Sequence, residues 1–213
     1  MAYNAPLKDM QFLLNEVFTA ESMFSAMPAT NEVTEDLMTA ILEEAGKIAG
    51  KLLSPINQTG DKEGCSYRDG LVITPKGFRE AYKDYIEGGW PGLTGEPSYG
   101  GQGMPKVISA LIEEMFFSAN TSFCLYTVLT TGAALTINEC ASEKLKKIYL
   151  PKMYQGIWSG TMCLTESHAG TDLGMINTKA VPSKNGSYRI SGTKIFITAG
   201  DHDLTENIVH LVL

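Results

Sequence analysis

The sequence is poor in the residues that build metal sites, disulfide frameworks and polyanion-binding surfaces. It has three histidines and four cysteines in 213 residues. Cys65, Cys124, Cys140 and Cys163 stand far apart, with no CxxC pair and no histidine at zinc-finger spacing. In a chain this long they read as reduced thiols of a cytoplasmic protein. Basic residues are also few: 17 Lys and Arg against 24 Asp and Glu give a formal charge of −7. The deficit is concentrated in residues 1–60, with 3 basic and 8 acidic side chains, whereas residues 151–213 hold 5 of each. No basic patch is available to neutralise phosphates, which argues against nucleic acid as a partner. The N-terminal MAYNAPLKDMQF has no basic stretch followed by an apolar run, so no secretory signal is expected. GxGxxG, P-loop, HExxH and GxSxG motifs do not occur. His168, His202 and His210 are expected on the surface or in loops, and no metal site is expected.

One stretch is long and uncharged. Met115 to Asn138 is 24 residues without Asp, Glu, Lys or Arg, enough in length to span a bilayer. Its Ser118, Asn120, Thr121, Ser122, Thr127, Thr130, Thr131 and Thr136 are too many polar groups for lipid. They suit a helix buried among other helices.

Hydrophobic residues make up 44% of the chain, sufficient for a core. Up to about residue 156 they recur with a helical period. Met10, Leu13, Leu14, Val17 and Phe18 mark one face. Val33, Leu37, Ile41, Leu42, Ala45, Ile48, Ala49 and Leu52 mark a second, with Thr34 as N-cap and Ser54-Pro55 as the stop. Thr74-Pro75 opens a third helix that turns Phe78, Tyr82, Tyr85 and Ile86 inward and ends at Gly88-Gly89. Pro105 opens a fourth, the uncharged run supplies a fifth, and Ser142 caps a sixth. Residues 57–73 and the Gly/Pro-rich residues 88–105 read as loops, the latter too long to be idle.

Beyond Gly156 the period becomes that of strands: Ile157–Leu164, Thr178–Val181, Ser187–Ile190, Lys194–Thr198 and Asn207–Leu213, with a hairpin turn at Asn185-Gly186. The expected organisation is therefore a helical domain, 1–156, followed by part of a β domain, 157–213. The last expected strand runs to Leu213 without a turn or cap, as if the chain continued.

Two segments stand out chemically. In Met162–Asp172 a strand runs into a turn with Thr165, Gly170 and Thr171, able to aim hydroxyls and amides at one ligand, although a capped polar turn would look the same. In Lys194–Gly200, strand alternation would set Phe196 and Thr198 on one face, although Phe196 alone is more often core.

Together, Leu164-Thr165-Glu166-x-x-Ala169-Gly170-Thr171-Asp172 and Lys194-x-Phe196-Ile197-Thr198-x-Gly200 resemble the flavin-binding motifs of the acyl-CoA dehydrogenases. Gly89-Trp90 and Glu96-Pro97-Ser98-Tyr99-Gly100-Gly101-Gln102-Gly103 resemble a loop of the same family. Ala5-Pro6-Leu7-x-Asp9-Met10-x-Phe12 with Glu16-Val17 is similar to the extra N-terminal helix, here residues 1–30, of a subgroup that includes methylthiopropionyl-CoA dehydrogenase-like enzymes. The resemblance covers the whole chain. It implies an α+β protein: an all-helical N-terminal domain, the first strands of a middle β-barrel, and a C-terminal helical domain beyond this sequence.

It further implies FAD as cofactor, an acyl-CoA thioester as substrate, α,β-dehydrogenation as reaction, and electron-transferring flavoprotein as acceptor. A homo-oligomer is implied for the full-length protein. Met162, Cys163, Leu164 and Thr165 would line the flavin, and Gly170 and Thr171 would approach it. Thr171 would also meet the thioester chain. Phe196 would pack on the isoalloxazine, with Ile197 and Thr198 beside it. The catalytic base is expected beyond Leu213, and Glu166 is expected to be a structural hydrogen-bond acceptor. The sequence departs from the common pattern at Ser167 and His168 (usually Pro and a small residue), Thr171 (Ser), Phe196 (Trp) and Ala199 (Asn). Other readings are an acyl-CoA oxidase on the same fold and a non-catalytic helical interaction module.

Overall fold

The computed structural model describes residues 3–213. α1 (Leu7–Phe12) passes through a π-turn at Leu13–Val17 to α2 (Ala20–Ser25). Only part of the expected inner face is covered. Met10 and Leu14 are buried, whereas Leu13, Val17 and Phe18 are about half exposed. The wider π-turn rotates these later residues off the 3.6-residue register.

α3 (Glu35–Ile48) starts where the sequence places it, with Thr34 Oγ1 accepting from Leu37 N at 3.2 Å. It does not stop at Ser54-Pro55. A π-turn at Ala49–Leu53 leads into α4 (Ser54–Glu63), and Pro55 lies in the first turn of α4, where no N–H is needed. Residues 57–73 are therefore no loop. They complete α4 and form a hairpin of β1 (Ser66–Arg68) and β2 (Leu71–Ile73), turning through Asp69-Gly70, both at positive φ.

α5 (Phe78–Glu87) begins three residues after Pro75, because Thr74 turns its amide and hydroxyl to Asp203 instead. The fourth and fifth expected helices are one, α6 (Lys106–Cys140), broken at Asn120. Asn120 is fully buried and works as an internal cap. Its Oδ1 accepts from Phe123 N at 3.0 Å and its Nδ2 donates to Leu53 O at 3.2 Å. α7 (Glu143–Tyr154) follows Ser142.

The main core lies where α3, α4, α5 and the first half of α6 meet. Phe78, Tyr85, Phe116, Phe123 and Trp90 pack there largely edge to face, with centroids 5.8–6.2 Å apart. A smaller core of Ala133, Ala134, Ile137, Leu150 and Met153 joins the second half of α6, α7 and β3 (Trp158–Cys163). Gly160 permits that approach: a Cβ there would stand 2.6 Å from Ala133 Cβ and 2.8 Å from Met153 Cε.

β3 pairs in parallel with β6 (Asn207–Val212), Trp158 facing Asn207 and Cys163 facing Val212. β4 (Lys179–Pro182) and β5 (Tyr188–Ser191) form an antiparallel hairpin closed around Asn185-Gly186. The expected strand Lys194–Thr198 does not form. Phe196 at φ 58° and Ala199 at φ 53° take the chain out of extended geometry. Among the described residues no helix is long and apolar enough to cross a membrane, and all four cysteines are free.

Candidate functional site

β3 carries the first motif out of the small core. Thr161 and Cys163 point inward and are buried, whereas Met162, between them, is 44% exposed. Past Cys163 the chain leaves the sheet in a tight turn. Glu166 N donates to Ala169 O and Ala169 N to Glu166 O, each at 3.0 Å. The side chains of Ser167 and His168 are left at the tip.

Glu166 is the acceptor that builds the site. Buried inside the turn, its carboxylate accepts from the Thr178 hydroxyl, from Asn177 N and Thr178 N at 2.9 Å, and from Lys194 Nζ at 2.9 Å. These donors, the Thr178 hydroxyl foremost, hold its carboxyl well below the usual range, at about 2. Lys194 Nζ also donates to Leu164 O at 2.9 Å, and Ile195 N to Thr165 O at 2.9 Å. Lys194 thus fastens the two motifs to each other, 28 residues apart, through a buried ion pair. Glu166 is structural, as the sequence suggested. Lys194, the first residue of the second motif, and Asn177 and Thr178, which lie outside both motifs, complete its shell.

What this scaffold leaves outward is the other half of the motifs. Gly170, Thr171 and Thr198 are exposed, and Leu164, Thr165 and Ile197 are half-buried. Phe196 is 89% exposed, so it is not a core residue. Among the described residues, the hydroxyls of Thr165, Thr171 and Thr198 have no protein partner, whereas those of Thr161 and Thr178 are engaged. A Cβ on Gly170 would meet nothing within 4 Å, so the fold itself does not require glycine there. Cys163 differs from its neighbours: its Sγ turns inward, 3.5 Å from His210 Nδ1.

A bulky aromatic held in the left-handed region with its ring in solvent costs ~1–3 kcal/mol and buries almost nothing in return. Such strain is a mark of ligand sites. A bare aromatic face, three free hydroxyls and an open glycine fit a flat heteroaromatic ring with a polar edge.

One histidine departs from expectation. His202 is buried, at 6% exposure, between β3 and α6. Desolvation lowers its pKa, so it is neutral where an exposed histidine would begin to protonate. Elsewhere, a groove of about 640 Å³ lies between residues 88–105 and α6, lined by Thr94, Glu96, Lys106, Thr131, Asn138 and Tyr154 among others. No residue of the two motifs lines it.

Lys194 and Ile195 tie the threonine/glycine turn to the segment that bears the exposed Phe196. Residues 38–157 match the family described as acyl-CoA dehydrogenase, N-terminal domain, and the chain belongs to the acyl-CoA dehydrogenase family. Over all 213 residues it is 43% identical to 3-methylmercaptopropionyl-CoA dehydrogenase of Ruegeria pomeroyi, covering 36% of that protein. It is 39% identical to a butyryl-CoA dehydrogenase of Syntrophomonas wolfei, over 99% of this chain and 35% of the relative. Among solved structures it resembles butyryl-CoA dehydrogenase from Megasphaera elsdenii, with TM-score 0.67 and 27% identity over 79% of this chain and 42% of that one. An acyl-CoA dehydrogenase complexed with FAD from Bacillus anthracis gives TM-score 0.68 and 25% identity, over 85% and 29%. The chain spans about a third of the length of these curated relatives.

Proposed function

We propose that these residues are the N-terminal part of an FAD-dependent acyl-CoA dehydrogenase that introduces an α,β double bond into an acyl-CoA thioester. The observation that carries the reading is Phe196, exposed and left-handed, two residues before Thr198 and next to Ile195, whose amide donates to Thr165 O.

When bound, FAD supplies the acceptor for the hydride leaving the β-carbon. The chain's own residues hold and orient. Phe196 offers its face to the ring system, and Thr165 and Thr198 offer hydroxyl donors to the polar edge. Donors fixed in this way would hold the polar edge of the ring without reorganisation. Gly170 would admit close approach, and Thr171 would meet the cofactor and the thioester chain. Glu166 is no base for the substrate α-proton, because its carboxylate is already committed to Asn177, Thr178 and Lys194. The base comes from chain beyond Leu213. Electron-transferring flavoprotein as electron acceptor, a homo-oligomeric assembly and a cytoplasmic location belong to the same proposal.

The test is Thr165→Val and Thr198→Val in the full-length protein. Each loses a hydrogen bond worth ~0.5–1.5 kcal/mol, so FAD retention or flavin reduction should fall two- to tenfold, on the order of that energy. Wild-type FAD content with wild-type reduction rate in both variants would reduce the turn to architecture.

A further inference from the structure

Ser159 and Thr161 stand two residues apart on one inward face of β3, and both reach across to the segment that carries Phe196 and Thr198. Thr161, with no exposure, donates its hydroxyl to Thr198 O at 2.6 Å. Ser159, 2% exposed, has its Oγ 3.1 Å from His202 Nε2 and 3.0 Å from Thr205 Oγ1. The ring orientation follows from its other contact. His202 Nδ1 accepts from Leu204 N at 3.2 Å, so in the neutral ring the proton is on Nε2 and is donated to Ser159. Ser159 can then donate to Thr205, whose hydroxyl donates to Asn207 O at 3.0 Å. Each donor in this chain has an acceptor. On the helical side, Asp203 accepts from Thr74 N at 3.0 Å and Thr74 Oγ1 at 2.7 Å. The His202 ring stands edge-on to Tyr126 of α6, with centroids 5.1 Å apart.

Residues 196–205 are thus gripped from two sides, by β3 and by the helical layer. The grip has a task. Phe196 and Ala199 are left-handed, a state that persists only where the surroundings over-determine it. We propose that Ser159, Thr161 and His202 are positioning residues for the flavin segment. They fix the backbone at Thr198 and at 202–205 so that Phe196 and the Thr198 hydroxyl stay presented outward. None of the three needs to touch the cofactor, and the inference rests on the flavin reading above.

The experiment uses the full-length holoprotein with Thr161→Val, Thr161→Ser, Ser159→Ala and His202→Asn. FAD dissociation constant, the visible absorption band of bound FAD, and thermal unfolding are measured for each. Thr161→Val keeps the shape and loses the donor, so the dissociation constant should rise about two- to tenfold and the flavin band should shift. Thr161→Ser restores the donor and should restore both. In His202→Asn the amide oxygen can still accept from Leu204 N but the reach to Ser159 is lost. It should behave like Ser159→Ala, which weakens FAD in the same direction and serves should Thr161→Val fail to fold. A general loss of stability would not shift the band or be rescued by serine. Wild-type FAD affinity and spectrum in Thr161→Val and Ser159→Ala would overturn the proposal while leaving the flavin reading intact. Wild-type protein that binds no FAD would overturn the reading and the proposal with it.

Discussion

Replacing Phe196 and Ala199 by glycine should separate stability from cofactor binding, because both residues are left-handed and only one offers a ring. A non-glycine residue in that region costs ~1–2 kcal/mol, and the greater unfolded-state freedom of glycine returns ~0.5–1 kcal/mol. Ala199→Gly should therefore stabilise the protein by about 0.5–1 kcal/mol and leave FAD affinity unchanged. Phe196→Gly should gain nearly as much without flavin, since within these residues the ring is 89% exposed and contributes little burial. Its FAD affinity should fall, because a stacked aromatic is worth ~0.5–1.5 kcal/mol beyond its buried area, a two- to tenfold effect before area is counted, on the order of that energy. Phe196→Trp, the family's common residue, should keep FAD. Equilibrium denaturation of the flavin-free full-length protein and FAD titration of each variant give the two quantities. The reasoning fails if Phe196→Gly loses stability while keeping FAD, or if Ala199→Gly loses FAD as severely as Phe196→Gly does.

Gly160→Ala should destabilise by ~1–3 kcal/mol through overpacking, read in a denaturant titration, because the new methyl would press on Ala133 Cβ and Met153 Cε. Acid should loosen the turn with a defined sign. Because the Glu166 carboxyl is held at about 2, its contribution is complete above the ordinary carboxylate range and is lost as pH falls from about 4.5 towards 2. Melting temperature followed from pH 7 to 3 should fall less steeply below 4.5 in Glu166→Gln than in wild type, from a lower starting value.

The sequence was most legible where local chemistry and tertiary packing agree. Thr34 caps α3, Asn185-Gly186 turns the β4–β5 hairpin, and the change from helix to strand falls between Tyr154 and Trp158. It misled where one residue has two legitimate uses. Ser54-Pro55 looked like a terminus, but proline in a first turn opens a helix as readily as it ends one. Asp69-Gly70 carries a hairpin signal, but the flanking strands, of only three residues each, are too short to show an alternating pattern. Asn120 could not be seen as a break, since its partner Leu53 O is brought to it only by the packing of α6 on the turn before α4. His202 and Asp203 were unreadable for the same reason. Their partners, Ser159 and Thr74, lie 43 and 129 residues away.

Of the departures from the family pattern, Ser167 and His168 fall where closure of the turn does not depend on a side chain. The motifs hold two kinds of residue. Glu166, Ala169 and Lys194 face inward and build the turn, and each has the residue the family pattern calls for. Thr165, Gly170, Thr171, Phe196 and Thr198 face outward, and the two substitutions among them keep chemical type, a hydroxyl for a hydroxyl and an aromatic for an aromatic. Ser167 and His168 occupy the tip of the turn, yet closure rests on the two backbone bonds between Glu166 and Ala169, which neither side chain supplies. Among the described residues Ser167 N donates to no protein acceptor, so proline at that position would forfeit no hydrogen bond and serine gains none. His168 adds a contact, its Nε2 lying 2.9 Å from Met175 O and 3.4 Å from the Glu166 carboxylate, without replacing one. Closure of the turn is thus a matter of backbone, while the Glu166 carboxylate ties the closed turn to Asn177, Thr178 and Lys194.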